Sequence, residues 1–421
     1  MKYYNADEGV NKIPYDKEPI HRQSSYNKKS KSSSMGGGNK LLSLVVCALV
    51  VISVVFGFSL LKLSKERPKG TQTNIVNINS NGTMDVSAVS SSAKLSVVCV
   101  HAGVTTESTE SPDYQGFFNM KSKGAGVIFR DNKNSGEAYI VTCFHVVKGF
   151  SSQIYVLLYD SFTPQKASLV YYSSIYDVAV IKLTASSEYT KSYSRPAEIA
   201  DSSLVLEGDG AVAIGNPLGA GFSVTSGIVS KITDLVDVDG VVNRVMRTDA
   251  PINGGNSGGG LFDSNGKLIG LVNAKATDNA SQGSYIDCVA YAIPSNVVIS
   301  IAENIVRNKM PVKAVLGITL MVDSSGVSLD IIAGKYVPVQ TVVVSQTGTN
   351  SLFKMNDKII GFAYDDKVVN MINLYTFDDH AFNIDKGDTV KFFVERDGKQ
   401  ITIDMTISEV ISADYQDWYE N

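Results

Sequence analysis

Hydrophobic and polar positions divide the chain into contrasting textures. Residues 1–40 are polar, rich in Tyr and Ser, carry Lys28, Lys29 and Lys31, and show no apolar period. That composition predicts a disordered tail. Leu41 to Leu61 is a run of 21 residues without a charge. At 1.5 Å per residue it is long enough to cross a hydrocarbon core of about 30 Å, so it predicts a single transmembrane helix. Residues 62–94 are dominated by Ser, Asn, Thr and Lys, with few large apolar side chains, and read as a flexible linker.

From Leu95 onward, short β-rich runs recur between Gly, Asn and Asp punctuation. They include Leu95–Val100, Gly126–Phe129, Tyr139–Thr142, Ile154–Tyr159, Val178–Leu183, Gly210–Ile214, Phe222–Ile228 and Arg244–Thr248. Asp239-Gly240 between two valine-rich runs is a hairpin signal. This texture predicts an all-β pair of barrels or a sandwich. After Pro294 the period changes. Val297, Val298, Ile301 and Ile305 form a helical stripe, with Ser295 expected as its cap and Pro311 as its stop. A second β-rich domain is expected over 313–410, and 411–421 reads as an acidic tail.

Composition changes this picture little. The formal net charge of −4 over 421 residues gives no basic patch for nucleic acid. The four cysteines, Cys47, Cys99, Cys143 and Cys288, are too few for a disulfide framework, although one pair stays open. No metal spacing and no cofactor motif appears. Lysines flank both ends of the 41–61 run, so charge alone does not orient it.

The candidate chemistry lies in Thr248-Asp249-Ala250-Pro251-Ile252-Asn253-Gly254-Gly255-Asn256-Ser257-Gly258-Gly259-Gly260. A serine on a glycine-rich loop can present its hydroxyl and aim neighbouring N–H groups at one spot. Such a serine needs a base, and the base needs an acceptor at its other nitrogen. Of the four histidines, His21 is in the tail, His101 ends the first strand and His380 is in the last domain. His145 follows a buried-strand pattern at its turn, and Asp177 directly precedes another apolar strand. In the order His145, Asp177, Ser257, the three residues form a candidate triad.

These stretches carry a resemblance to the HtrA/Deg family of trypsin-like serine proteases. Gly124-Ala125-Gly126-Val127-Ile128, Val141-Thr142-Cys143-Phe144-His145-Val146-Val147 and Asp177-Val178-Ala179-Val180-Ile181-Lys182 resemble the family's segments around its histidine and aspartate. Ala213-Ile214-Gly215-Asn216-Pro217-Leu218-Gly219, Ser223 to Ser230, Thr248 to Gly260 and Ala290 to Ser295 resemble those before, at and after the nucleophile.

The resemblance covers 95–310 and implies a mainly β, trypsin-like double β-barrel followed by a PDZ domain at 313–410. It implies Ser257 as nucleophile, His145 as general base and Asp177 as its orienter. Backbone N–H groups of Gly255, Asn256 and Ser257 would form the oxyanion hole. Leu316, Gly317 and Ile318 would bind a peptide C-terminus. The loop from Asn273 to Gly283 would wall the substrate pocket.

The resemblance further implies unfolded or damaged proteins as substrates and a homotrimer with Tyr114, Phe117 and Phe118 at its contact. It also implies a cytoplasmic N-terminus with the large domains extracellular. Cys143 and Phe144 stand where the family has Asn-Asn, and Gly254 and Gly260 where it has Pro. The extra glycines predict a looser loop. Two other functions stay open: a tethered PDZ binding or chaperone module with latent proteolysis, and a non-peptidase acyl hydrolase matching G-x-S-x-G at 255–259.

Overall fold

The computed structural model describes residues 84–103, 112–238, 241–273, 289–330, 335–348 and 351–412. The tail, the 41–61 run, most of the linker, the Asp239-Gly240 turn and residues 274–283 of the pocket loop lie outside them, as does the acidic tail beyond Ser412. Among the described residues no helix is long and apolar enough to cross a membrane.

Strands β1 (Val97–Ala102), β2 (Ser122–Asn132), β3 (Glu137–Cys143), β4 (Ile154–Leu158), β5 (Gln165–Ser173) and β6 (Val178–Thr184) close an antiparallel barrel in the order β1-β2-β3-β6-β5-β4. Strands β7 (Gly210–Gly215), β8 (Ser223–Val238), β9 (Val241–Thr248), β10 (Gly260–Phe262), β11 (Leu268–Val272) and β12 (Ala290–Pro294) close a second. Its order, read from β7, is β7-β8-β9-β12-β11-β10, so the same topology occurs twice. Every residue of β1, β4 and β11 is buried, so these strands read as continuous apolar runs instead of alternating ones. Val238 pairs with Val241, as a two-residue hairpin loop requires.

Helix α1 (Val86–Ala93) corrects the linker expectation over its last residues. Asp85 caps it by accepting from Ala88 N–H at 3.0 Å, and Val89 and Ala93 are buried in the core of the barrels. The helix after β12, Ser295–Val306, is also capped differently from expectation. Ser295 is its first helical residue, and its hydroxyl donates to Ala200 O at 2.9 Å instead of to the helix end. The helix stops at Val306, before Pro311, with Asn308 in the left-handed region (φ 58°).

The C-terminal unit has its own apolar core around Phe362, Phe377, Phe392 and Ile407. Strands β13 (Val312–Val315), β14 (Ile318–Asp330), β15 (Lys335–Thr347), β16 (Lys358–Tyr364), β17 (Lys367–Asn370), β18 (Thr389–Arg396), β19 (Lys399–Thr406) and β20 (Glu409–Ser412) build it. The sheet runs β14-β15-β16-β18-β19, β17 pairs with β16, and β13 pairs with β20. Among the described residues β14 pairs only with β15.

This unit is docked on the barrels. Phe382 joins their core and meets the Tyr176 ring edge-on at 5.0 Å. Asn383 Nδ2 donates to Ser300 Oγ at 2.8 Å, and Arg244 pairs with buried Asp379 while lying over the Tyr375 ring.

Candidate active site

His145 and Asp177 come from the first barrel and Ser257 from the second. The Cys143 end of β3 turns directly into a four-residue helix, Phe144–Val147, which places His145 beside the start of β6. Phe144 fixes that turn: its ring stacks on Tyr172 at 3.9 Å and its N–H donates to Asp177 O at 3.0 Å. Asp177 has φ 53°, a conformation that Asp tolerates better than most side chains, and it turns its carboxylate back toward His145.

The carboxylate is fully engaged. Oδ2 accepts from His145 Nδ1 at 2.6 Å and from Asn273 Nδ2 at 3.2 Å, and Oδ1 accepts the His145 backbone N–H at 2.9 Å. A carboxylate can only accept from the ring, so the imidazole proton sits on Nδ1 and Nε2 is left basic. Asn273, the first residue of the pocket loop and the only one of its residues described, is a partner of Asp177 that the sequence did not single out. Its only signal was its place beside the glycine-rich loop's partner strand, β11.

Ser257 lies between β9 and β10 and is 4% exposed. The loop is held across the barrel boundary by Ala125 N–H donating to Ser257 O at 2.8 Å. Gly258 (φ 83°) marks the closest approach, since a Cβ there would stand 2.2 Å from Ala125 O. Gly255 (φ 95°) packs on the neighbouring turn, where a Cβ would meet Asn216 O at 2.3 Å.

The three candidate donors divide. Asn256 N–H donates to Asn253 O at 3.0 Å, so it is already used. Gly255 and Ser257 N–H groups have no acceptor among the described residues. Asn256 also leaves its buried Oδ1 without a partner among the described residues. No hydrogen bond joins His145 to Ser257 among the described residues.

The two unusual glycines differ in role. A Cβ at Gly254 would meet nothing within 4 Å, whereas at Gly260 it would stand 2.4 Å from the Phe262 ring. Gly260 is therefore a tightly packed strand residue and not a source of loop freedom. Cys143 and Cys99 are both free and buried. Burial holds the Cys143 thiol well above its ordinary pKa, and Sγ donates to Val272 O at 3.3 Å. Cys143, His145 and Asp177 place donor atoms within 4.8 Å of one another. An ion there would have to break the His145–Asp177 bond and ionise a buried thiol, so the donor set suits a proton network better than a metal.

A trypsin-like peptidase domain model matches residues 124–271, which contain all three candidates. The chain is 32% identical over 364 residues to the serine protease Do-like HtrA of Lactococcus lactis subsp. lactis, covering 80% of this chain and 85% of that one. The chain belongs to the HtrA family of serine proteases. The serine endoprotease DegS of Escherichia coli is 30% identical over 296 residues, covering 69% of this chain and 78% of its own. As an HtrA-type serine endopeptidase, the protein carries His145 and Asp177 on the first barrel and Ser257 on the second.

Leu316, Gly317 and Ile318 lie elsewhere: Leu316 and Gly317 connect β13 to β14, and Ile318 opens β14. Gly317 has φ 65°, and Leu316 and Ile318 pack partly against the C-terminal core. Tyr114, Phe117 and Phe118 form a short helix, Tyr114–Phe118, beside β1. Phe117 is buried, whereas Tyr114 is 42% exposed. His380 is hydrogen-bonded to Tyr364 within the C-terminal unit.

Proposed function

We propose that this HtrA-type enzyme is a membrane-anchored endopeptidase of protein quality control, cleaving unfolded or damaged extracytoplasmic proteins through an acyl-enzyme. The observation that carries the reading is the 2.6 Å contact of His145 Nδ1 with Asp177 Oδ2. It leaves Nε2 basic, on the barrel opposite the Ser257 loop.

In this mechanism Ser257 Oγ attacks the scissile carbonyl while Nε2 of His145 takes its proton. Asp177 stabilises the imidazolium and keeps the tautomer. Gly255 and Ser257 N–H groups receive the developing oxyanion, and each such donor typically supplies about 2.7–4 kcal/mol. His145 then protonates the leaving amine, and water, activated by the same nitrogen, releases the acyl group.

The 41–61 run would anchor the protein with its N-terminus in the cytoplasm and its large domains outside. The C-terminal unit would act as a PDZ domain, Leu316-Gly317-Ile318 holding a peptide carboxylate while the peptide adds to β14. That β14 pairs only with β15 among the described residues supports that addition. Exposed Tyr114 supports a homotrimer contact through its helix.

A second reading is a PDZ binding or chaperone module with latent proteolysis. It is favoured by the missing His145–Ser257 hydrogen bond, although such bonds often tighten only with substrate bound. Cleavage of unfolded casein by the full-length protein in detergent, with and without C-terminal peptides, separates the two. The endopeptidase reading expects cleavage by the wild type and none by Ser257→Ala. Suppressed aggregation without cleavage under any peptide would favour the module.

A further inference from the structure

His101 is a buried titratable group that the triad does not use. It sits in β1 with no exposed surface, and both ring nitrogens are engaged. Nδ1 lies 2.7 Å from Phe117 O, and Nε2 lies 2.7 Å from Asn216 Nδ2. A carbonyl can only accept, so Nδ1 carries the proton and donates to Phe117 O. Nε2 must then accept, which makes Asn216 Nδ2 the donor. The same amide group donates to Gly124 O at 3.0 Å. With its nitrogen so placed, Asn216 turns Oδ1 to accept Gly221 N–H at 2.8 Å. One assignment satisfies the whole network.

Asn216 holds the turn against which the serine loop rests. Leu218 N–H donates to Gly254 O at 2.7 Å, and Gly219 N–H donates to Asn216 O at 3.0 Å. That Asn216 carbonyl is the atom a Cβ on Gly255 would strike. The backbone of 216–219 thus sets where Gly255 lies, and through it where its N–H points. On its other side the His101 ring stacks on Phe117 at 4.1 Å, with Phe118 edge-on at 5.7 Å.

We propose that His101 is a positioning residue for the oxyanion hole: its Nε2 orients Asn216, and Asn216 seats Gly255. This rests on the proposed role of the Gly255 and Ser257 N–H groups. His101 touches no reacting atom, so its loss should weaken transition-state stabilisation while leaving substrate binding alone.

The test uses the full-length protein in detergent, with three variants chosen by atom. His101→Phe keeps the ring on Phe117 and loses both hydrogen bonds. His101→Asn keeps a donor near the Nδ1 position and loses the acceptor. His101→Gln can place an oxygen near the Nε2 position. The readouts are kcat and KM on unfolded β-casein, the rate of Ser257 phosphonylation by a fluorophosphonate, the acid limb of the pH profile, and thermal unfolding.

The expected result is at least a tenfold loss of both kcat and labelling rate in His101→Phe and His101→Asn. KM should stay within twofold and the acid limb unmoved, with His101→Gln recovering to within threefold of wild type. A folded His101→Phe with wild-type kcat and labelling rate would overturn the proposal. So would a His101→Gln as impaired as His101→Phe, with activity following the loss of thermal stability. Ser257→Ala is run in parallel: if it still cleaves casein at the wild-type rate, the underlying reading has failed, whatever the His101 variants do.

Discussion

Gly258 and Gly254 lie four residues apart on one loop and should respond to the same substitution in opposite ways. Gly258 has a positive φ and no room for Cβ against Ala125 O. Gly258→Ala should therefore separate the barrels locally and cost several kcal/mol, about 1–3 of it from the backbone conformation alone. Gly254 has neither constraint, so Gly254→Ala should stabilise by about 0.4–1 kcal/mol through the unfolded chain. Urea unfolding of the two variants checks both signs.

His101 makes a second prediction at this scale. Desolvation, opposed by the Phe117 carbonyl and reinforced by Lys123, pushes its pKa down from 6.5 to about 4. The unfolded state therefore binds more protons between those values, and stability rises with pH across that window. The contribution is fully present above pH 6.5 and is lost as pH falls toward 4. Unfolding of wild type and His101→Gln at pH 7.5 and pH 4.5 should show the wild type's advantage shrinking at the lower pH, by at most about 3 kcal/mol.

Single residues were unequally legible in the sequence. His145 and Asp177 stood out because each borders an apolar strand, Ser257 because of the glycine-rich loop around it, and their order matched a known arrangement. Asn273 did not, because a polar residue at a loop's start has many ordinary uses. The division among Gly255, Asn256 and Ser257 was invisible too, since it depends on a turn that spends the Asn256 N–H on Asn253 O.

Among the elements, α1 shows how composition misleads. Its segment, Val-Ser-Ala-Val-Ser-Ser-Ser-Ala, has the content of a linker, yet Val86, Val89 and Ala93 recur at helical spacing and Asp85 supplies a cap. Val89 is fully buried. Val89→Ala should cost about 2 kcal/mol, combining lost methyl burial with a residual cavity. A drop in the unfolding midpoint without loss of Ser257 labelling at low temperature is the expected outcome. The helix after β12 was legible from its stripe, but its cap was not. Serine at that position suggests a cap, whereas tertiary packing directs its hydroxyl to Ala200 O.

For the whole molecule, the repeated strand order of the two barrels left no trace as a sequence repeat. Topology depends on which strands pair, and different apolar residues satisfy the same pairing. The docking of the C-terminal unit was equally hidden. It rests on long-range contacts, chiefly Arg244 with Asp379, which is 1% exposed. Burial pushes the Arg244 pKa down to about 10, still charged at neutral pH. Arg244→Ala would leave Asp379 buried and unpaired, a loss of about 3–5 kcal/mol for a pair of this kind. Limited proteolysis should then cut faster between the barrels and the C-terminal unit, at residues 307–311.

Whether Ser257 is the nucleophile activated by His145 is decided by fluorophosphonate labelling of the full-length protein followed by peptide mass mapping. One modified residue, Ser257, is expected, with labelling lost in Ser257→Ala and reduced by orders of magnitude in His145→Ala. Labelling at another serine, or undiminished labelling after removal of His145, would contradict it.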